Sequence, residues 1–301
     1  MRTWHCHTMA ASCLATIAVV TCIGLWLTSY IYVKAVHQEI VTNSFVRRLS
    51  TSHTIVVGRS PKILCWVLTE QHNLGNKATA VRDTWSRRCD KFLFFSSKTN
   101  TTFPTIGLDV PKGRAHLTTK VLLAFSYCFK LYGKEFDWFL KADDDTYVIV
   151  ENLRLLVQSR DPEEAVYFGY RFKPYTPQGY MSGGAGYLLS RESLKRLVLD
   201  GLLGHACETF WSIEDLDIGR CLSSVGVKAM DSLDLDGKER FHPLSLDSYF
   251  GSHDLPNWVY TYAYHPILRH YDCCSNLTIS FHYIRPHLMY ILDYLIYRLR
   301  H

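Results

Sequence analysis

The 301-residue sequence has no long run of basic residues, although its formal net charge is +5. A protein that follows a phosphate backbone concentrates lysine and arginine in such runs, so no nucleic-acid partner is expected. The sequence also lacks a G-x-G-x-x-G fingerprint, a Gly-Lys-Ser/Thr loop, internal repeats and low-complexity tracts. A nucleotide would therefore be held by something other than a glycine-rich phosphate loop. With 48% hydrophobic residues, the chain can bury the core of one large domain.

Formal charge is missing from Thr3 to Val33. Within this region, Met9–Val33 is apolar and long enough to cross the hydrocarbon core of a membrane as a helix. A cleaved signal peptide would have a shorter apolar stretch and an A-x-A-like site, and Ser29–Tyr32 offers neither. We therefore predict a cytoplasmic tail at 1–8, a retained transmembrane anchor at 9–33, a polar stem at 34–60 and a catalytic domain at 61–301.

The side of the membrane on which the domain lies is predicted from cysteines and glycosylation sequons. The positive-inside rule by itself points the other way, because Arg2 stands alone before the span while Lys34, Arg47 and Arg48 follow it. Seven cysteines follow the stem, which is many for a reducing compartment: Cys65, Cys89, Cys128, Cys207, Cys221, Cys273 and Cys274. Asn100 and Asn276 begin two sequons. We expect a single-pass type II protein with a lumenal domain, N-glycans at both asparagines and one unpaired cysteine.

Short apolar runs alternate with helical patterns along the domain. The predicted strands are Ile63–Leu68, Phe92–Phe95, Trp138–Lys141 and Val166–Tyr170, and another leaves the glycine cluster near Met181–Leu189. The predicted helices are Ala78–Arg88, Thr118–Tyr132, Asn152–Val157, Arg191–Leu199, Asp215–Leu222 and Pro286–Leu299. This alternation predicts an α/β fold with a parallel-dominated sheet and helices on both faces.

Three consecutive acids, Asp143 to Asp145, follow the buried strand that begins near Phe136. Open α/β sheets bind ligands at the carboxyl ends of their strands, and a divalent cation would relieve the repulsion between neighbouring carboxylates. A solvated acidic turn is the alternative. An EF-hand calcium loop does not fit, because Tyr147 and Val148 stand where that loop needs a further ligand and a glycine.

Other segments supply further candidates. Gly183, Gly184 and Gly186 would let backbone approach a ligand closely, or would simply form a tight turn. The acidic pair before Leu216 begins a predicted helix, where it suits the helix dipole, and one of its carboxylates is a candidate general base. His282 and His242 are rival candidates for a third metal ligand. The aromatic run Trp258–Tyr264 suits either the core or stacking on sugar faces.

Together these segments resemble the inverting β1,3-glycosyltransferases of the GT-A type. The similarity covers about Pro61 to Leu299, and its most specific pieces are WFLKADDDTYV (138–148), RFKPY…QGYMSGGAGY (171–187), SIEDL with GRC (212–221), GKERFHP (237–243) and CCS…SFHY (273–283). The resemblance implies a Golgi enzyme that transfers galactose from UDP-galactose, with Mn²⁺, to O-linked N-acetylgalactosamine on Ser or Thr of glycoproteins. The resemblance leaves open whether the protein forms a homodimer.

The resemblance also assigns roles to individual residues. Asp215 would be the catalytic base. Asp143, Asp145 and His282 would hold the manganese ion. The donor would be contacted by Arg82, Trp85, Asp144, Gly183 and Gly184, and the acceptor by Tyr180, Trp258 and Tyr260. Cys128 has no partner in the family pattern and is the candidate for the unpaired thiol.

Two alternatives remain beside this hypothesis. A catalytically silent, chaperone-like relative would not need Asp143–Asp145, Asp215 and His282, all of which are present. A related β1,3-glycosyltransferase with a different acceptor would keep the metal site and differ around Trp258–Tyr264 and His242–Asp254. These two stretches depart from the family pattern, so the donor is better defined than the acceptor.

Overall fold

The structure is a computed structural model that describes residues 59–111, 113–207 and 213–299. The predicted tail and anchor, and nearly all of the predicted stem, lie outside these residues. Within the described ranges, no helix is both long enough and apolar enough to cross a membrane.

A seven-stranded sheet forms the centre of the domain. Its strands are β1 (Ile63–Leu68), β2 (Lys91–Ser96), β3 (Thr105–Gly107), β4 (Trp138–Asp143), β6 (Val166–Gly169), β9 (Tyr187–Ser190) and β10 (Lys228–Met230). They lie in the order β10-β6-β9-β4-β1-β2-β3, and only β9 runs antiparallel to its neighbours. The predicted mixed α/β architecture with a parallel-dominated sheet is confirmed.

Two hydrophobic clusters cover the two faces of this sheet. Because side chains alternate along a strand, Cys65 and Val67 of β1 belong to one cluster, whereas Leu64 and Trp66 belong to the other. Both clusters consist of fully or nearly fully buried side chains. The short apolar runs of the sequence are therefore strands buried on both faces.

Eight α-helices flank the sheet in the described residues. They are α1 (Thr79–Asp83), α2 (Leu117–Tyr132), α3 (Val150–Val157), α4 (Arg191–Arg196), α5 (Glu214–Ser224), α6 (Leu246–Phe250), α7 (Asn257–Tyr262) and α8 (Pro286–Tyr297). The Ser190 side chain caps α4 by accepting from the Ser193 N–H, and Pro286 stands in the first turn of α8, where its missing N–H costs nothing.

Two small sheets complete the domain. The first contains β5 (Tyr147–Val148), β11 (Phe241–His242) and β12 (Ser280–Phe281). The second contains β7 (Arg171–Phe172) and β8 (Tyr180–Met181). The first matters most for function, because it joins the segment after Asp145 to the segment before His282.

Two sequence predictions differ from the structure. The helix expected at Ala78–Arg88 is divided into a π-turn at Leu74–Ala78, α1, and a 3-10 turn at Trp85–Arg88. The helix expected at Arg191–Leu199 passes from α4 into a π-helical segment, Leu197–Leu203. In both cases tertiary packing overrides a short local pattern. The run Trp258–Tyr264, for which no element was predicted, is mostly the short helix α7.

Candidate active site

Three of the predicted metal ligands converge at one end of β4. Asp143 is the last residue of that strand, and a turn closed by the Thr146 N–H on the Asp143 carbonyl oxygen (3.1 Å) presents Asp145 two residues later. His282 follows β12, and the Ile284 N–H donates to the Asp145 carbonyl oxygen (2.8 Å). Asp143, Asp145 and His282 each offer a ligand atom within 4.8 Å of the others.

The His282 ring is held on several sides. Its Nε2 lies 3.2 Å from Asp145 Oδ1 and 3.9 Å from Asp143 Oδ2, and its Nδ1 lies 3.3 Å from the Pro243 carbonyl oxygen. The ring stacks on Tyr283 with centroids 3.7 Å apart. A Cβ at Gly184 would lie 2.1 Å from His282 Cε1, so only glycine leaves room for the imidazole. Gly184 is thus a structural requirement of this histidine.

His242, the rival ligand, lies in the core. Its side chain is fully buried, stacks on Phe281 with centroids 4.4 Å apart, and has Nε2 3.3 Å from the Thr278 hydroxyl. Burial lowers the pKa of His242 to about 3, so the ring is neutral. Of the two histidines, the structure brings only His282 to the carboxylates.

Asp144 and Asp145 have different surroundings. Asp144 Oδ2 accepts hydrogen bonds from the Thr69 hydroxyl (2.7 Å) and the Asn73 amide (2.8 Å), and burial raises the pKa of its carboxyl. Asp145 pairs with the Lys77 ammonium at 2.9 Å. Burial would raise the pKa of Asp145, but its hydrogen bonds and charge contacts with His282 and Lys77 outweigh burial and lower it. The pKa values of these two neighbouring carboxyls are therefore shifted in opposite directions.

Asp215 occupies the first turn of α5. Its Oδ2 accepts the Gly183 N–H at 3.1 Å, and its Oδ1 accepts the Leu216 N–H at 2.9 Å. Burial raises the pKa of the Asp215 carboxyl. A carboxylate fixed in this way and more basic than usual is suited to accept a proton.

Sequence reasoning did not single out Lys141, which lies at the centre of the site. This buried side chain is 2% exposed and donates to Asp143 Oδ1 (2.7 Å) and the Gly183 carbonyl oxygen (3.1 Å), with Glu214 Oε2 at 3.4 Å. Burial alone would lower the pKa of Lys141, but the charges of Asp143 and Glu214 outweigh burial and raise it. The sequence feature that could have identified Lys141 is its place inside an otherwise apolar strand, because a buried charge needs a partner of opposite charge.

Glu214 is the second buried carboxylate of this cluster. Its Oε1 accepts the Tyr187 hydroxyl at 2.7 Å, opposite the Lys141 contact at Oε2. Burial raises the pKa of Glu214 to about 6. A Cβ at Gly183 would lie 2.6 Å from Glu214 Oε2, so this glycine is required for the cluster to pack.

A cavity of about 470 Å³ is lined by Asp143, His282, Glu214 and Asp215 of these groups. The residues predicted from the sequence that line it are Asp143, Tyr180, Gly183, Gly184, Asp215, Trp258 and His282. Tyr262 and Phe172, which were not predicted as site residues, add to an aromatic wall next to Trp258. The cavity thus has carboxylates and a histidine on one side and aromatic rings on another.

Other predicted contacts lie elsewhere. Trp85 is fully buried with its ring 5.4 Å from that of Phe92, so it is a core side chain in this structure. Arg82 pairs with Asp83 at 2.9 Å and lines a separate cavity of about 680 Å³. Tyr260 is exposed on α7 and does not line the 470 Å³ cavity. The donor and acceptor contacts assigned to these three residues stay predictions.

The two sequon asparagines differ in exposure. Asn276 is exposed in the turn after Cys274, whereas Asn100 is half-buried and its Oδ1 accepts the N–H groups of Thr102 and Phe103, both at 3.0 Å. Glycosylation at either position stays a prediction.

Six of the seven described cysteines are paired. The disulfides are Cys65–Cys89, Cys207–Cys221 and Cys273–Cys274. Cys128 is the free cysteine of the described residues, as predicted, and it is buried. The pairing agrees with the oxidising compartment that the cysteine count indicated.

The chemistry of the three convergent ligands fits a divalent metal ion. Two carboxylate oxygens and one imidazole nitrogen form a set that manganese accepts, because carboxylates suit hard cations and imidazole suits first-row transition metals. The Pro243 carbonyl oxygen beside His282 Nδ1 would orient the ring so that Nε2 faces the carboxylates.

Comparison with known proteins identifies relatives of the chain. A model described as Fringe-like matches residues 59–287. Glycoprotein-N-acetylgalactosamine 3-beta-galactosyltransferase 1 of Xenopus laevis is 46% identical over 247 residues, covering 81% of this chain and 68% of that protein. A beta-1,3-glucosyltransferase of Mus musculus is 27% identical over 156 residues, covering 50% of this chain and 31% of that protein. Chondroitin sulfate synthase 3 of Mus musculus is 27% identical over 181 residues, covering 53% and 20%. These matches confirm the resemblance that the motifs indicated.

Proposed function

The chain belongs to the Fringe-like family and is a glycosyltransferase enzyme, and we propose that it is a metal-dependent, inverting β1,3-galactosyltransferase with a GT-A catalytic domain. The observation that carries the proposal is one cavity lined both by Asp143 and His282, two members of the group that Asp145 completes, and by the fixed carboxylate of Asp215. A metal ligand group beside a separate base is an arrangement suited to direct displacement from a nucleotide sugar, because the ion can stabilise the leaving diphosphate while the base accepts the acceptor's proton.

The proposed donor is UDP-galactose. Asp143, Asp145 and His282 would hold Mn²⁺, which when bound would neutralise negative charge on the leaving diphosphate. Lys77 pairs with Asp145 in the described structure, and its side chain is one-third exposed. The ammonium therefore has room to leave Asp145 when another cation approaches.

Asp215 is the proposed base. It accepts the proton from the attacking acceptor hydroxyl as that oxygen forms a bond to the anomeric carbon of galactose, while the bond from that carbon to the diphosphate oxygen breaks and UDP leaves. Attack from the face opposite UDP converts an α-linked donor into a β-linked product. The hydrogen bonds from Gly183 and Leu216 hold the carboxylate in place for this step.

The proposed acceptor is N-acetylgalactosamine on a glycoprotein, the acceptor in the name of the Xenopus relative, and the family resemblance adds that this sugar is linked to Ser or Thr. Trp258, Tyr262 and Phe172 form an aromatic wall on the cavity that contains Asp215. Aromatic faces bind the apolar C–H surface of a sugar ring, so this wall is the proposed acceptor side. We further propose that the anchor at 9–33 holds the domain in the Golgi lumen.

Replacement of Asp215 tests the proposal. With UDP-galactose, Mn²⁺ and a GalNAc-peptide, turnover of Asp215→Asn should fall on the order of 10²–10⁴-fold, the usual range for a missing general base. The fold should persist, because an amide oxygen still accepts the Gly183 N–H. Asp272→Asn, at a carboxylate whose side chain is 81% exposed and outside the cavity, is the matched control and should keep full turnover. Normal turnover in Asp215→Asn would remove Asp215 from the mechanism.

Two further measurements separate the alternatives. A ligand that binds only the native state raises the melting temperature, so an absence of any shift with saturating UDP and Mn²⁺ would favour a silent, chaperone-like protein. A panel of glycan acceptors with UDP-galactose distinguishes a GalNAc-peptide enzyme from a related transferase with a different acceptor.

A further inference from the structure

Lys77 places a positive charge directly on one of the predicted metal ligands. Its ammonium donates to Asp145 Oδ2 at 2.9 Å and lies 3.5 Å from Asp144 Oδ1. The other oxygen of the Asp145 carboxylate, Oδ1, lies 3.2 Å from His282 Nε2. Both oxygens of Asp145 are therefore in contact with a neighbouring nitrogen, and the contact with Lys77 brings a full positive charge.

The segment between β1 and α1 brings Lys77 to the carboxylates. β1 and β4 are parallel neighbours, so this segment begins at the sheet edge where Asp143 ends β4. Two neutral side chains of the segment, Thr69 and Asn73, donate to Asp144 Oδ2. Lys77 differs from them because it is charged and long, and its side chain is 34% exposed. Its flexible stem lets the ammonium exchange one partner for another while the backbone stays in place.

A divalent ion at Asp145 would meet this positive charge. The ion and the Lys77 ammonium would share one carboxylate, and like charges a few ångströms apart repel strongly where access of water is restricted. The Asp145 side chain is only partly exposed. Lys77 therefore opposes metal binding for as long as its ammonium stays on Asp145.

A nucleotide diphosphate would remove this conflict. Lysine binds phosphate oxygens as a point charge, so an ammonium that moves from Asp145 to a phosphate keeps a partner of opposite charge. The Asp145 carboxylate is then left to the ion. Donor and ion would both favour the same position of the Lys77 side chain, and two ligands that favour one state of a protein bind cooperatively.

We propose that Lys77 couples donor binding to metal binding: it pairs with Asp145 before the ion binds, and moves to the diphosphate when ion and donor are both present. This role rests on the proposed function, because the diphosphate belongs to the proposed donor. The alternative is an ion pair with a structural role alone, which would hold the π-turn Leu74–Ala78 against Asp145.

Two binding measurements on Lys77→Met test this role. Electron paramagnetic resonance of free Mn²⁺ gives the metal affinity without nucleotide, and calorimetric titration gives the UDP affinity at saturating Mn²⁺. Without nucleotide, the variant should bind Mn²⁺ on the order of tenfold more tightly, because the competing charge is missing. At saturating Mn²⁺, it should bind UDP on the order of tenfold more weakly, because the diphosphate has lost its ammonium partner.

The opposite directions of these two changes distinguish coupling from a structural ion pair. Loss of a structural ion pair would weaken both affinities or change neither, and either result would overturn the role of Lys77. Lys77→Arg keeps the positive charge, so both of its affinities should lie closer to those of the parent protein than to those of Lys77→Met. Lys228→Met is the matched control and should change neither affinity, because this exposed lysine lies on β10, three strands from β4.

The parent protein separates failure of this role from failure of the proposed function. If it binds neither Mn²⁺ nor UDP, both proposals are refuted. If it binds both and Lys77→Met lacks the opposite changes, the role of Lys77 alone is refuted.

Discussion

Replacing Gly184 with alanine should displace the His282 imidazole and weaken metal binding. The added Cβ would lie 2.1 Å from His282 Cε1, 2.2 Å from Nδ1 and 2.7 Å from Nε2. Ordinary contact begins near 3.4 Å, so the ring must retreat by about 1 Å or more. Tyr283 stacks on the ring and the Pro243 carbonyl oxygen lies beside Nδ1, so the retreat must take Nε2 away from Asp145.

The size of the effect follows from this displacement. A misplacement of about 1 Å at a reacting centre costs on the order of 10²-fold, and the loss of a ligand's orientation costs roughly 10–100-fold in metal affinity. We therefore expect the Mn²⁺ concentration for half-maximal turnover to rise roughly 10–100-fold. His282→Ala should show the largest rise in this Mn²⁺ concentration, because it removes the ligand altogether.

Manganese titration of turnover, supported by electron paramagnetic resonance of free Mn²⁺, provides the assay. Gly75→Ala is the matched control, because a Cβ at this exposed position meets nothing within 4 Å. Gly184→Ala should keep its melting temperature to within a few degrees, which separates a local effect from unfolding. If Gly184→Ala binds and uses Mn²⁺ like the parent protein, the assignment of His282 as a ligand fails.

Three further predictions concern the buried charges and the disulfides. Lys141→Met leaves Asp143 and Glu214 without their buried cation, so the free energy of unfolding measured by urea denaturation should fall by about 3–5 kcal/mol. An unchanged urea midpoint would contradict the conclusion that Lys141 stabilises these carboxylates. Glu214 has a folded pKa of about 6 against an ordinary 4.5, so its folded state holds the proton more tightly. Relative to Glu214→Gln, the parent protein should lose about 2 kcal/mol of unfolding free energy over the whole titration, from about pH 3.5 to about pH 7, and a flat difference would refute the raised pKa. Removing the Cys65–Cys89 disulfide, which joins residues 24 apart, should cost about 3 kcal/mol while leaving Mn²⁺ affinity unaffected.

The local sequence pattern was sufficient to predict an element or a site where the segment was long or chemically distinctive. The run Ile63–Leu68 forms β1 with the predicted bounds, and the periodicity of Thr118–Tyr132 located α2 to within one residue. The three acids at the end of β4 identified the ligand end of the sheet, because parallel strands present their carboxyl ends at one edge. Trp258–Tyr264 shows the limit: its pattern left the choice between core packing and sugar stacking open, and in the structure a helix packs Trp258 and Tyr262 against Phe172.

Local sequence patterns were enough to predict the strands of the sheet, the position of the acids, the glycine cluster and the resemblance to a glycosyltransferase family, because each motif consists of residues close together in the chain. The choice between His282 and His242 required the folded chain, since a three-stranded sheet brings Phe281 beside Tyr147 and buries His242 in the core. The folded chain alone revealed Lys141 as the buried cation between Asp143 and Glu214, and Gly184 as the space for the imidazole. Except for the Lys141–Asp143 pair, these contacts join residues tens to more than a hundred positions apart, and their distances are set by packing, which no local pattern encodes.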